Sequence, residues 1–249
     1  MTGGEIQAMA IRRSRLLGPS VAGIALVLLS ACAETLPEQQ NTLEPLYDAA
    51  IRKAAIVRAE DIRRLHAIPD GVATVKVLKW GSPGPFEGHE GETIKAPSDT
   101  FVTLIPEVKD KCEEFRRRSR VTNLEELLGL PPQAEYDSTH KGFIVLEVSV
   151  NQNNIFRPCA DFDVHTKTCS TGSPEGTSYQ ASFLARHIFE SYQLPPDPVH
   201  SIGFPFTRLG YTYNWRPGAD RYGASEYVIP KGAPVKVMEI DSTDTYCGN

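Results

Sequence analysis

The chain has 249 residues, with 26 Lys and Arg against 31 Asp and Glu, and its formal net charge is −5. Hydrophobic residues make up 41% and charged residues 23%, which argues against a wholly disordered, a collagen-like or a polytopic membrane chain. The acidic balance also argues against nucleic acid as a partner, because a surface that follows phosphates needs clustered Lys and Arg.

Residues 1–31 have the layout of a secretory signal peptide. Three arginines between residues 12 and 15 form a basic start, and no charged residue follows from Leu16 to Ala31. The densest apolar run, residues 21–29, is shorter than the roughly 20 residues that a membrane-spanning helix needs. We therefore expect residues 1–31 to direct export and to be removed.

A four-residue motif, Leu29-Ser30-Ala31-Cys32, ends the apolar run. It resembles the lipobox of bacterial lipoproteins, in which the cysteine sulfur receives a diacylglyceryl group and the cysteine becomes the mature N-terminus. The resemblance implies that Cys32 is lipidated and that the lipid holds the protein on a membrane. Because Ala33 rather than Asp follows, the periplasmic side of an outer membrane is favoured if the organism has one. A plain cleaved signal peptide with an incidental cysteine is the alternative.

Four cysteines remain if Cys32 is lipidated, an even number that suits disulfide bonds in an oxidising compartment. Sequence alone leaves three pairings open. We favour Cys159–Cys169, because the two residues bracket a short loop-like segment, and hence Cys112–Cys247, which would tie the end of the chain to an internal helix.

The segment that follows Cys32 is predicted to be a tether and then a helix. Residues 32–43 are mostly polar, which favours a flexible link to the lipid. Over residues 44–68, apolar side chains recur at roughly helical spacing, which predicts one long helix. Pro69-Asp70-Gly71 is expected to end it.

Residues 72–249 are predicted to form one α+β domain with a mixed or antiparallel sheet, because strands and helices follow each other without a regular alternation. Strands are predicted over residues 72–80, 101–105, 142–150, 209–215, 226–229 and 235–240. Helices are predicted over residues 106–118, 124–130 and 177–193. Lys231-Gly232 predicts a hairpin turn between the last two strands.

One group of side chains could surround Zn²⁺, namely Cys159, Asp161, His165 and Cys169. In an oxidising compartment a disulfide competes directly with thiolate ligation. We therefore favour a Cys159–Cys169 disulfide, and we expect neither a metal nor another cofactor.

Three aromatic residues, Tyr211, Tyr213 and Trp215, would share one face of a predicted strand. Aromatic rings beside arginines could bind sugar rings, a peptide or a base. The alternative, which we favour, is that the three rings form part of the core of the sheet.

Glu226 is the best candidate for a general acid or base, with Arg208 and either His187 or His200 as neighbours. A structural ion pair between Glu226 and Arg208 is the favoured alternative. The chain has no Gly-x-Ser-x-Gly, His-Glu-x-x-His, P-loop or Gly-x-Gly-x-x-Gly motif that would mark a familiar enzyme class.

Four blocks carry a wider likeness: Leu127 to Pro132, Phe156 to Cys159, Thr207 to Trp215 and Gly223 to Val228. Through them, the chain from about Val72 to Cys247 resembles a family of exported bacterial proteins with no assigned activity. The resemblance implies export and transfers no catalytic role.

Two classes of function stay open for this expected envelope protein. One is a binding or assembly module whose partners are the membrane, through the lipid, and other envelope proteins or cell-wall polymers. The other is a small hydrolase or transferase that uses Glu226, Arg208 and a histidine. Convergence of those groups in an open pocket would favour the enzyme, whereas their dispersal, with residues 211–215 buried, would favour the module.

Overall fold

An antiparallel sheet organises the computed structural model, which describes residues 36–132, 141–192 and 203–248. Its seven strands within those residues are β1 Thr74–Gly81, β2 Thr93–Lys95, β3 Thr100–Leu104, β4 Gly142–Ser149, β5 Tyr211–Tyr213, β6 Tyr222–Ile229 and β7 Pro234–Ser242. They lie in the order β2-β7-β4-β1-β3-β6-β5, and the sheet is not closed.

Five α-helices accompany the sheet in the described residues: α1 Leu36–Ala54, α2 Ile105–Glu114, α3 Arg120–Leu128, α4 Ser178–Ser191 and α5 Thr243–Cys247. The predicted α+β class with an N-terminal helix is therefore confirmed. The chain from Pro37 onward forms one compact unit. None of the helices in the described ranges has the length and apolar character that a membrane span requires.

The two faces of the sheet bury separate parts of the core, because successive side chains on a strand point to opposite faces. Val77 of β1 packs in the same cluster as Leu146 of β4. Their neighbours on these strands, Leu78 and Val145, pack on the opposite face. That face, called the helix-covered face below, receives Val108 from α2, Leu124 from α3 and Tyr246 from α5.

Two disulfides fasten the fold, with the pairing expected from the sequence. Cys112 of α2 is joined to Cys247 of α5, and their Cα atoms are 5.4 Å apart. Cys159 is joined to Cys169, with 6.0 Å between the Cα atoms. The first bond links the C-terminal helix to the helix-covered face, and the second closes a loop of the irregular segment before α4.

The prediction of one helix over residues 44–68 is wrong, because α1 ends at Ala54. A short 3₁₀ turn, Ala59–Asp61, follows, and the chain then runs without helix to β1. The N–H of Leu65 donates to Lys167 O at 2.7 Å, and the N–H of Ile68 donates to Val164 O at 2.9 Å. These long-range bonds, together with burial of Leu65 and Ile68, replace the helical hydrogen bonds that the local pattern favoured.

The predicted tether, residues 32–43, is also corrected, because α1 already begins at Leu36 and contains Pro45. Tertiary packing of the later part of α1 accounts for the difference. Tyr47 and Ile51 are buried in a cluster with Tyr213 and Trp215. Packing of this kind stabilises a helix more than local composition does. The packed later turns of α1 therefore stabilise its earlier turns.

The turn predicted at Lys231-Gly232 exists, but it does not form a hairpin. The N–H of Ala233 donates to Pro230 O at 3.0 Å, and Gly232 has a φ of 85°. However, β6 pairs with β3 and β5, whereas β7 pairs with β4 and β2. The turn is hydrogen-bonded instead to Ala96, between β2 and β3, so the chain passes here from one part of the sheet to another.

Candidate functional site

A cavity of about 550 Å³ lies against the helix-covered face of the sheet. Strands β1, β3 and β6 supply its floor, and α2, α3 and α4 contribute to its walls. Its apolar lining includes Leu78, Trp80, Phe101, Val108, Leu128, Leu130, Phe204 and Phe206. This volume lies within the range of about 300–1,000 Å³ that is typical of small-molecule sites.

Three neighbouring side chains form the centre of the floor. Thr103 of β3 pairs with Leu78 of β1 on one side and with Glu226 of β6 on the other. Residues that are directly opposite in an antiparallel pair project from the same face of the sheet. Because Leu78 packs with the helix-side cluster, Thr103 and Glu226 also face the cavity, and all three residues line it.

Glu226 is the unusual member of this row. Burial alone raises the pKa of Glu226 to about 8. None of the described residues forms a hydrogen bond or an ion pair with its carboxyl group, so no neighbouring charge or donor offsets the cost of ionising it. At neutral pH the side chain is therefore mostly an uncharged carboxylic acid, which can both donate and accept a hydrogen bond.

The end of α3 is shaped to build one wall of the cavity. Gly129 caps the helix with a φ of 68°, and Leu130 N–H bonds back to Glu125 O at 2.9 Å. A Cβ atom at Gly129 would lie 3.2 Å from Tyr213 O, so this close approach favours glycine as well. The chain reversal places Leu130 in the wall.

The opposite wall depends on α4, which starts at a capping box. Thr177 Oγ1 accepts from the N–H of Gln180, and Gln180 Oε1 accepts from the N–H of Thr177. Asp99, between β2 and β3, accepts hydrogen bonds from Tyr179 and Arg186 of this helix. Burial works to raise the pKa of Asp99, but these bonds, with one from a backbone N–H, hold it below its ordinary value. Asp99 is therefore an ionised anchor for α4.

His187 is the predicted catalytic histidine that the structure places at the cavity. Its ring lies among Phe101, Phe183 and Phe206, with centroid distances of 5.2, 4.1 and 6.0 Å. Burial, and then the nearby Arg186 charge, lower the pKa of His187. His187 and Glu226 both line the cavity, and no hydrogen bond joins their side chains.

Arg208 does not join Glu226, either as a catalytic partner or in the predicted structural ion pair. Its Nη2 donates to Ala55 O at 2.9 Å, and its guanidinium lies 5.5 Å from the centre of the Tyr192 ring. It is absent from the described lining of the cavity. The other catalytic candidate, His200, lies outside the described residues.

The three aromatic candidates are buried and do not form an open groove. Tyr211 donates its hydroxyl to Asp61 O at 3.0 Å, and Trp215 donates Nε1–H to Leu130 O at 3.0 Å. Tyr213 and Trp215 pack with α1, whereas Tyr211 packs beside the Cys159–Cys169 disulfide. The core interpretation of these rings therefore fits, although Tyr211 and Tyr213 also contribute to the cavity wall.

The predicted alternative zinc site does not fit the donors that the structure presents. Cys159 and Cys169 are joined as a disulfide, so their sulfurs cannot act as thiolate ligands. Asp161 lies beside them, with Oδ1 at 3.2 Å from Cys159 Sγ. His165 turns away, because its Nδ1 lies 2.8 Å from Ile68 O.

Thr103 is a cavity residue that sequence reasoning did not single out. In the strand Thr100–Leu104, the alternation of side chains puts Phe101 and Thr103 on one face and Val102 on the other. The signal in the sequence was that the polar Thr103 falls on a strand face that is predicted to be buried. The contribution of α4 had no comparable local signal, because it depends on the distant Asp99.

The chain matches no family model, no curated protein and no solved structure. The cavity and the Glu226 carboxyl group on its floor are therefore the features that bear on function.

Proposed function

We propose that this protein is a lipid-anchored component of the cell envelope that binds an apolar small molecule in the cavity around Glu226. The observation that carries the proposal is the Glu226 carboxyl group on the floor of a largely apolar cavity of about 550 Å³, where it forms no hydrogen bond or ion pair with the described residues. Ligand sites typically combine apolar walls with a few placed polar groups that orient the ligand.

The geometry favours binding over catalysis. General acid–base catalysis needs groups that reach the reacting atoms together, at about 2.6–3.2 Å or through one water. Arg208 donates to Ala55 O and is absent from the described cavity lining, and no hydrogen bond joins His187 to Glu226. The hydrolase or transferase alternative thus loses Arg208, one of the groups on which it depended, and Glu226 keeps a role in orienting a ligand.

The envelope location rests on the motif at Cys32 and is supported by the two disulfides. Disulfides form and persist outside the reducing cytoplasm. Cys112 and Cys247 pack in one cluster with the lining residues Leu78 and Val108, so an oxidising compartment would maintain the packing behind the cavity.

Ligand binding is tested by titrating the purified protein with N-phenyl-1-naphthylamine, a neutral apolar dye whose fluorescence rises in apolar surroundings. Thr103→Phe should fill the floor of the cavity and weaken dye binding at least about tenfold, which corresponds to about 1.4 kcal/mol. The matched control, Thr93→Phe, changes an exposed residue of β2 and should bind like the wild type. Equal binding by all three folded proteins would contradict a ligand site in this cavity.

The anchor is tested separately by detergent-phase partitioning of the native protein and of Cys32→Ala. We expect the native protein in the detergent phase and the variant in the aqueous phase, because the lipid supplies the membrane affinity. Recovery of both proteins in the aqueous phase would refute the lipoprotein assignment and leave the cavity proposal standing.

A further inference from the structure

The polar groups of the cavity lining define what kind of head group a ligand can present. Among the described lining residues, Lys79 is the one lysine, and no arginine lines the cavity. Lys79 Nζ donates to Ser82 O at 3.1 Å and lies near the Phe86 ring, which belongs to the core on the other face of the sheet. Its ammonium group is therefore not directed at a cavity ligand.

The acidic members of the lining reinforce this restriction. Asp99 is ionised and holds Tyr179 and Arg186, and Glu190 also lines the cavity. A ligand carboxylate or phosphate would meet these groups, and no free cation among the described lining residues would compensate its loss of hydration, which is costly in an apolar site.

A cationic head group is disfavoured for a different reason. A cation that reached the floor of the cavity would have to ionise Glu226, and the pair would then lie where burial already penalises the charged carboxyl group. The desolvation of two ions commonly offsets much of their attraction. Asp99 does not offer an alternative site, because its oxygens already accept from Tyr179, Arg186 and the N–H of Lys231.

We infer that the ligand is an uncharged chain molecule with an ester or amide carbonyl, and that the Glu226 hydroxyl donates a hydrogen bond to that carbonyl oxygen. This inference rests on the proposed binding function. The apolar chain would lie along the walls that include Trp80, Phe101 and Leu128, while the carbonyl would meet the polar row of Thr103 and Glu226 on the floor. The half-buried Glu226 makes no side-chain hydrogen bond with the described residues, so its hydroxyl is available to a ligand carbonyl.

The test uses chain-matched competitors that displace the bound naphthylamine dye at pH 7: methyl dodecanoate, dodecanoate and dodecylamine. Methyl dodecanoate should displace the dye at a concentration at least about tenfold lower than either charged competitor, because only it avoids burying a charge. Failure of the wild type to bind dye at all would reject the proposed function itself. Dye binding with equal or better displacement by dodecanoate or dodecylamine would overturn the ligand class alone.

The role of Glu226 is tested by two substitutions at that position. Glu226→Gln keeps a hydrogen-bond donor and should keep the preference for the ester over dodecanoate. Glu226→Leu removes the donor and should lower the affinity for the ester, relative to the affinity for the dye, about tenfold. Glu239→Leu, at an exposed position of β7, is the matched control and should behave as the wild type. An unchanged ester-to-dye ratio in Glu226→Leu would exclude the proposed hydrogen bond.

Discussion

Glu226 of β6 lies directly opposite Thr103 of β3, and both side chains face the cavity on the helix-covered side of the sheet. The pairing of β3 with β6 therefore places the Glu226 carboxyl group among the apolar walls of the cavity. Because no described residue neutralises the carboxylate, ionisation is disfavoured and the group stays protonated to about pH 8. The fold accommodates Glu226, but deprotonation of its carboxyl group should lower the free energy of unfolding at a measurable cost.

The cost should appear as a pH dependence of stability. Since the pKa of Glu226 is raised to about 8 in the folded protein, the unfolded chain releases its proton at lower pH than the folded one. The free energy of unfolding should therefore fall as the pH rises from about 5 to 8, by at most about 1.4 kcal/mol per pH unit from this group.

Glu226→Gln should remove this contribution, so the variant should gain stability relative to the wild type as the pH rises from 5 to 8. Urea unfolding of both proteins at several pH values measures the difference, in which the other titrating groups cancel. Glu239→Gln serves as the exposed control. A constant difference between Glu226→Gln and the wild type across this range would show that Glu226 titrates normally.

The two disulfides should contribute unequally to stability. Their cysteines are separated by 135 residues for Cys112–Cys247 and by 10 residues for Cys159–Cys169. In the chain-entropy model, the longer loop stabilises by about 5 kcal/mol and the shorter by about 3 kcal/mol. Paired Cys→Ser substitutions at each bond, followed by urea unfolding, test the order. A larger loss for the short loop would mean that unfolded-chain entropy does not govern these bonds.

Docking of α1 depends on Tyr47, whose hydroxyl lies 3.3 Å from Gly129 O and 3.1 Å from Gly203 O. Its ring also meets Trp215 edge to face, with 5.6 Å between centroids. Tyr47→Phe should cost about 1 kcal/mol, and Tyr47→Ala about 3–5 kcal/mol. The neighbouring exposed Leu46 provides the control Leu46→Ala, which should cost less than about 0.5 kcal/mol. Equal costs for the two alanine variants would place α1 outside the cooperative fold.

Local pattern was sufficient where a structure depends on neighbours along the chain. The alternation of Ile144, Leu146 and Val148 predicts the buried face of β4, and these three residues pack in one cluster. Lys231-Gly232 likewise predicts a turn correctly. The local pattern could not predict which strands the turn connects. The pairing of β6 with β3 and the hydrogen bonds of the turn to Ala96 involve residues that are distant in sequence.

In the candidate site too, single residues could be predicted from the sequence, whereas their long-range contacts could not. Glu226 is recognisable from sequence because a carboxylate stands out in an apolar strand. The location of Arg208 is not recognisable, because its partner is the carbonyl of Ala55, which is available only where α1 has ended. The sequence therefore identifies single chemical groups more readily than their convergence, which depends on long-range packing.

The most direct test of the account is to locate the bound ligand by photolabelling. Methyl dodecanoate with a diazirine at the end of its chain would be irradiated with the wild type and with Thr103→Phe, and labelled peptides would be mapped by mass spectrometry. We expect labels on cavity residues such as Phe101, Leu130 and Phe206 in the wild type, and their loss in the variant. Labels confined to exposed apolar side chains such as Phe189, and unchanged by Thr103→Phe, would contradict the cavity as the binding site.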